Sequence, residues 1–305
     1  MSYHIVNIDS PGCVVSCKNG QLTCTGEDGV RQLPLEDVAA IIITSFSSVL
    51  HGTLLVEAAK HGVALIICEQ FKPVSLMLPA NRSSDTLLTK AALELDKKKI
   101  DALWRKTVDA KCMNQYLLAM NLAPHHEKLG ALEKTATGKM QSKEGTCARF
   151  FWGIYSEALG QADFKRHEDG FGLNALLNYG YAVLLSTMLQ KLFAVGLDPT
   201  LGISHSVRER STPLAYDLME PFRPCVDWRV AQWVKMLEDS SDLAITREFR
   251  RFVTGFVLER VDYFEIELSI QNCIEGVVRS FRSAVLEHNT RLYRPWIPQG
   301  SKWVG

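Results

Sequence analysis

Near residue 80 the hydrophobic pattern of this chain changes period, and it does not change back. Before that point apolar residues alternate with polar ones, the two-residue repeat of half-buried strands; after it they recur every three or four positions, the repeat of amphipathic helices. A chain written this way is expected to fold as α+β. A small β-rich amino-terminal domain over residues 1–79 is followed by a linker at 80–84 and a larger all-helical domain over 85–305. The length supplies enough apolar material for two buried cores.

Within the first part, residues 3–8 alternate and the segment SPG punctuates them. Residues 13–17 and 21–25 then flank Lys18-Asn19-Gly20, whose Asn-Gly pair predicts a hairpin, and 30–33 add a further short strand. The β-branched run at 38–45 reads as a buried strand, 49–61 as an amphipathic helix stopped by Gly62, and 63–68 as a second buried strand. A last strand is expected at 74–78.

In the second part, 85–120 predicts one long helix or two, broken near the charged run Asp96-Lys97-Lys98-Lys99, which reads as a solvated helix face. Further helices are expected at 142–159, 173–193, 213–219, 227–237, 246–263 and 267–289. The last residues, RPWIPQGSKWVG, hold two prolines and two tryptophans and do not suit a helix. They are expected to dock across the helical domain or onto a partner.

Composition removes several classes of function. Lysine and arginine total 34 and aspartate and glutamate also total 34, so the chain does not coat nucleic acid through bulk charge, and any such role requires a local patch. Eight cysteines occur without a CxxC pair, which argues against a zinc ribbon or a thioredoxin-like centre, and they read as reduced core residues. No basic segment followed by a long apolar run opens the chain, and the apolar runs at 38–44 and 63–68 are too short to cross a bilayer. No membrane association and a cytoplasmic location are expected.

The stretch GISHSVRERSTPLAYDLMEPFRP at 202–224 holds the candidate chemistry, against the ordinary reading of His205 as a surface or hydrogen-bonding loop histidine. It sets His205 upstream of Asp217 and Glu220, two acids one helical turn apart on a helix that Ser211-Thr212-Pro213 begins. A histidine with carboxylates holds a hard or borderline divalent ion, and such an ion performs phosphodiester chemistry without a covalent intermediate. Glu144, in the first turn after Ser142, is an earlier acid able to join them, although a carboxylate there also suits the helix dipole. Gly145 beside it suggests a close approach by backbone or ligand. Spacing does not choose between Asp217 and Glu220, and a surface acid pair is the ordinary alternative. Arg208, Arg247, Arg250 and Arg251 are candidate phosphate contacts, against the reading of arginines on a wet helix face or paired with nearby acids.

Four motifs, KEGTCARFFW at 143–152, LNALLNYGY at 173–181, LGISHS at 201–206 and LAYDLMEPFRP at 214–224, occur in an order and spacing that resemble one family. The chain resembles the CRISPR-associated integrase, the first of the two adaptation proteins that insert new spacers into a CRISPR array. The segment SFSSVLHGTLLVEAAKHGVALIICEQFKPVSLMLP at 45–79 is similar to the branch accompanying type II effector systems.

That resemblance implies that Glu144, His205 and Glu220 form a catalytic triad holding Mg²⁺ or Mn²⁺, with Asp217 as an accompanying acid that orients a ligand. The implied reaction is a transesterification in which the 3′-hydroxyl of captured DNA attacks a phosphodiester at the edge of a CRISPR repeat. Implied partners are prespacer and repeat DNA, a second copy of the chain, a small ferredoxin-like second adaptation protein, and a type II effector with an accessory adaptation protein. Two alternatives are a metal-dependent nuclease on branched or single-stranded DNA and a non-catalytic DNA-binding scaffold.

Overall fold

The computed structural model describes the chain except residues 1–3, 28, 70–71, 78–85, 140–141, 162, 168–169, 207–211, 239–242 and 299–305. The amino-terminal part carries strands β1 His4–Ile8, β2 Val14–Lys18, β3 Gln21–Gly26, β4 Gly29–Pro34, β5 Val38–Ile43, β6 Val49–Leu50, β7 Ala64–Glu69 and β8 Lys72–Met77, with helix α1 Gly52–Lys60. They form two sheets, ordered β4-β3-β2-β6 and β1-β5-β7-β8. Asn19 and Gly20 both take positive φ, 52° and 72°, as the two-residue turn between β2 and β3 requires. Gly62, at φ 69°, ends the turn after α1.

The apolar runs of β5 and β7 are explained by burial on both faces. Ile41, Ile43 and Leu65 point into a core shared with β2 and α1. Ile42, Ile66 and Cys68 point the other way, into the core of the helical part. Such double burial produces a near-continuous hydrophobic run in place of alternation. The expected linker at 80–84 lies outside the described residues, and the β1-β5-β7-β8 sheet closes one side of the helical core.

The second part contains α2 Thr86–Leu93, α3 Lys97–Leu122, α4 Leu129–Thr137, α5 Lys143–Ala158, α6 Leu173–Ala194, α7 Pro213–Met219, α8 Arg223–Met236, α9 Arg247–Thr254 and α10 Ile270–Leu286. The break between α2 and α3 falls at Asp96, whose carboxylate caps α3 by accepting from the Lys99 amide at 2.9 Å. Helix α6 is apolar all round because it is buried on all sides, against the sheet, α7, α8 and α10. At Gly180 an added Cβ would stand 2.4 Å from Val226 Cγ1, so this crossing with α8 requires glycine.

The expectation of an all-helical second part is corrected at one place. Strands β9 Arg260–Tyr263 and β10 Ile266–Ser269 form an antiparallel hairpin where helices at 246–263 and 267–289 were expected. The segment RVDYFEIELS alternates apolar and polar side chains, and Phe264 and Glu265 adopt positive φ to turn it without glycine. Helix α4 also goes unread in the sequence, and α8 starts earlier than expected because Pro224 is tolerated in a first helical turn.

The carboxy-terminal tail docks on its own helical part as far as residue 298, and residues 299–305 with Trp303 lie outside the described residues. Tyr293 and Trp296 are fully buried, and Trp296 stacks on Phe222 with ring centroids 5.5 Å apart and planes 6° from parallel. Lys106 of α3 donates to the Thr290 and Tyr293 carbonyls at 2.7 and 2.8 Å. All eight cysteines are free thiols, and among the described residues no helix is long and apolar enough to cross a membrane.

Candidate active site

The first turn of α5 and the stretch from the loop after α6 to the start of α8, about 60 residues apart in sequence, deliver the predicted residues to one place beside α3. Glu144 stands in the first turn of α5. His205 lies on the loop after α6, Asp217 on α7, and Glu220 in the single 3-10 turn Glu220–Phe222 that joins α7 to α8. Ser142 occupies the cap position of α5, although its side chain makes no capping hydrogen bond. Among the described residues nothing approaches within 4 Å of a Cβ built on Gly145, so no protein backbone requires a glycine there.

The structure separates the two acids that spacing left equivalent. Asp217 is buried and surrounded by donors: its Oδ2 accepts from the Ile203 and Ser204 amides at 2.6 and 3.0 Å, and its Oδ1 from the His205 amide at 3.2 Å. The same Oδ1 lies 2.7 Å from His205 Nδ1. Four contacts occupy this carboxylate, which therefore fixes the loop and the imidazole together. Gly202 makes the wrap sterically feasible, since a Cβ there would meet the His205 carbonyl oxygen at 2.6 Å and Asp217 Oδ2 at 3.0 Å.

Glu220 has different surroundings. Its side chain is only 4% exposed, against 38% for Glu144. Arg223 Nε approaches Oε1 at 3.0 Å, while Oε2 meets Lys111 Nζ at 2.6 Å off the direction of an aligned hydrogen bond. The same ammonium stands 2.6 Å from Glu144 Oε1. Lys111 thus bridges the two glutamates, and in this arrangement no three His, Cys, Asp or Glu side chains among the described residues close into a metal cage.

Electrostatics follow the contacts. Burial opposes ionisation of Glu220, but Arg223 and Lys111 outweigh it and hold its carboxyl below the usual range. The hydrogen bond that His205 Nδ1 donates to Asp217 raises the His205 pKa above 6.5 in spite of partial burial. Next to the cluster, burial raises Asp227 to about 7, opposed by a 2.5 Å hydrogen bond from the Tyr181 hydroxyl.

Sequence reading missed the organising role of α3. Trp104, Thr107, Lys111 and Asn114 recur at helical spacing on one face. Trp104 meets the His205 ring edge-to-face at 6.1 Å, and Thr107 shares a 2.9 Å hydrogen bond with the Tyr293 hydroxyl. Asn114 donates to the Pro221 and Trp296 carbonyls at 2.7 and 3.0 Å. A polar stripe of this kind inside a helix was the available signal.

Of the candidate DNA contacts, Arg208 lies outside the described residues. Arg247 and Arg251 are exposed on α9, whereas Arg250 forms an ion pair with Asp9 at the end of β1.

Residues 6–246 match the family described as CRISPR associated protein Cas1. The chain belongs to that family. It is 28% identical over 286 residues to a CRISPR-associated endonuclease Cas1 of Neisseria meningitidis serogroup C (strain 8013), covering 92% of this chain and 91% of the relative. Among solved structures, a casposase bound to integration product matches with a TM-score of 0.75 at 21% identity, over 98% of this chain and 93% of that one. A Cas6-RT-Cas1–Cas2 complex matches with a TM-score of 0.75 at 14% identity, over 96% of this chain and 36% of that one. These structural likenesses establish a common fold along nearly the whole chain. Family membership brings CRISPR spacer acquisition and an endonuclease activity.

Proposed function

We propose that this chain is a metal-dependent DNA integrase of CRISPR adaptation, joining the 3′-hydroxyl ends of captured DNA to the CRISPR repeat by transesterification. The observation that carries this reading is the division of labour among the acids. Asp217 spends both oxygens on the His205 loop, while Glu220 Oε2 is buried beside Glu144 with a positive charge between them. A hard divalent ion suits this donor set: two carboxylates that already gather around a cation, and an imidazole whose Nδ1 is engaged by Asp217, leaving Nε2 for coordination.

Glu144, His205 and Glu220 would hold Mg²⁺ or Mn²⁺, and the ion when bound would polarise the phosphoryl oxygens and stabilise charge developing in the displacement. Asp217 keeps the Nδ1 proton on its own side of the ring. Trp104 and Tyr216, at centroid distances of 6.1 and 6.3 Å, restrict the imidazole's tilt. Arg223 fixes Glu220 from the opposite side to Lys111, so the carboxylate is oriented before any ligand arrives. Arg247 and Arg251, exposed on α9, are suited to phosphate contacts that position a duplex, with Arg208 as a further candidate.

The proposed assembly is a homodimer through the amino-terminal part, residues 1–79, working with Cas2; the complex that shares the fold contains both proteins. The amino-terminal similarity to the type II branch belongs to the same proposal, and an effector and an accessory adaptation gene beside a repeat array would test it. The name endonuclease on the Neisseria relative supports a second reading, in which the same residues direct water to the phosphodiester.

One experiment separates them. A labelled duplex with free 3′-hydroxyls is incubated with a repeat-containing plasmid, with Mn²⁺ or with chelator. Strand joining that requires the ion and is abolished in Glu220→Ala supports integration. Cleavage without joining supports the nuclease, and indifference to both chelator and Glu220→Ala would leave only a scaffold.

A further inference from the structure

Two glutamates brought together at the foot of α5 and the start of α8 repel one another, and one of them is buried. Leaving Glu220 ionised there without a counter-charge is strongly destabilising. Arg223 answers this at Oε1, and Lys111 answers it at Oε2 while also reaching Glu144, with 2.6 Å contacts to both carboxylates. Its Nζ stands between the oxygens that a divalent ion would need, and its own side chain is largely buried by α3 and the Glu220–Phe222 turn.

We infer that Lys111 is a tethered counter-ion, which holds Glu144 and Glu220 together in the metal-free protein and is displaced from between them when the divalent ion binds. This rests on the metal-site reading above. A flexible four-carbon stem carrying a compact charge suits the role, because it withdraws by rotamer change without moving α3. The device allows the buried acid to be ionised and positioned in advance, and it makes the ion compete with an intramolecular ammonium.

Two measurements test it. Calorimetric Mn²⁺ titration compares wild type with Lys111→Met, which keeps the stem and removes the charge. Loss of the competitor should tighten Mn²⁺ binding about tenfold, the scale of one charge-assisted hydrogen bond, while melting in chelator falls and is restored more by Mn²⁺ than in wild type. In wild type itself, reductive methylation followed by mass spectrometry should show Lys111 modified several-fold faster with Mn²⁺ than with chelator, a result that does not depend on the variant folding. Equal or weaker Mn²⁺ affinity in Lys111→Met, or a Lys111 methylation rate unchanged by Mn²⁺, overturns the inference. Failure of wild type to bind Mn²⁺ at all would instead remove the metal-site reading, and this inference with it.

Discussion

Replacing Trp296 by alanine should damage both stability and catalysis, although the residue lies near the end of the chain. Its indole is fully buried, stacks on Phe222 at 5.5 Å and donates from Nε1 to the Asp262 carbonyl at 3.1 Å. Truncating a buried tryptophan costs about 3–5 kcal/mol, with the lost hydrogen bond falling within that range. For a chain of this size each kcal/mol lowers the melting temperature by roughly 2 °C, so a fall of about 6–10 °C is expected by calorimetry. Phe222 is two residues from Glu220 on the same 3-10 turn, so a loosened stack also releases the carboxylate. Strand joining should therefore fall by up to about a hundredfold at temperatures where the variant remains folded, the scale of a misplacement near 1 Å. Trp296→Phe, which keeps a ring over Phe222, should recover most of both losses. A stability change under about 1 kcal/mol, or full joining activity in a destabilised Trp296→Ala, would refute the coupling between tail and site.

Two further predictions concern the site and the DNA. Asp217 holds the His205 pKa above 6.5, so their pairing stabilises the metal-free fold fully below that value and is lost as the pH rises through the folded-state pKa. Asp217→Asn should remove this dependence, move the pH midpoint of Mn²⁺ binding downward and weaken that binding by about 10- to 100-fold. A pH-resolved titration in which the midpoint stays fixed would count against the Asp217–His205 linkage. For DNA, the double variant Arg247→Ala/Arg251→Ala should weaken binding and flatten the slope of log affinity against log salt by up to about 2, as expected for two phosphate contacts. Filter binding over a salt series checks this, and an unchanged slope would return both arginines to an ordinary wet helix face.

The fold was legible wherever local chemistry decided the backbone. Asn19-Gly20 turned as a hairpin, Gly62 stopped α1, and Asp96 divided α2 from α3 through its own side chain. The hairpin at 260–269 was not legible, because its turn uses Phe264 and Glu265 at positive φ in place of glycine. Tertiary contacts supply what the turn lacks: the Trp296 indole and the Tyr263 hydroxyl tie the hairpin to the tail through Asp262 and Arg294. At the site, side-chain types pointed to His205, Asp217 and Glu220 but could not rank the two acids. Seeing that their surroundings differ needed the amides of residues 203–205, which are backbone groups that no residue pattern displays.

Lys111 was obscure for a related reason. In KTVDAKCMNQY it reads as one more polar residue on a long helix, and its partners come from segments 33 and 109 positions away. Helix α3 contributes none of the proposed ligands, yet one face of it touches His205, both glutamates, the Glu220–Phe222 turn and the tail. The amino-terminal sheet touches the helical core elsewhere, through Ile42 and Ile66 and the Asp9–Arg250 pair. Disturbing the tail should therefore reach the proposed metal ligands directly, through Asn114 and Phe222, whereas loosening the sheet must first act through α6 or α9. One face of α3 thus meets the residues of three of the four motifs, Glu144, His205 and Glu220, together with the tail.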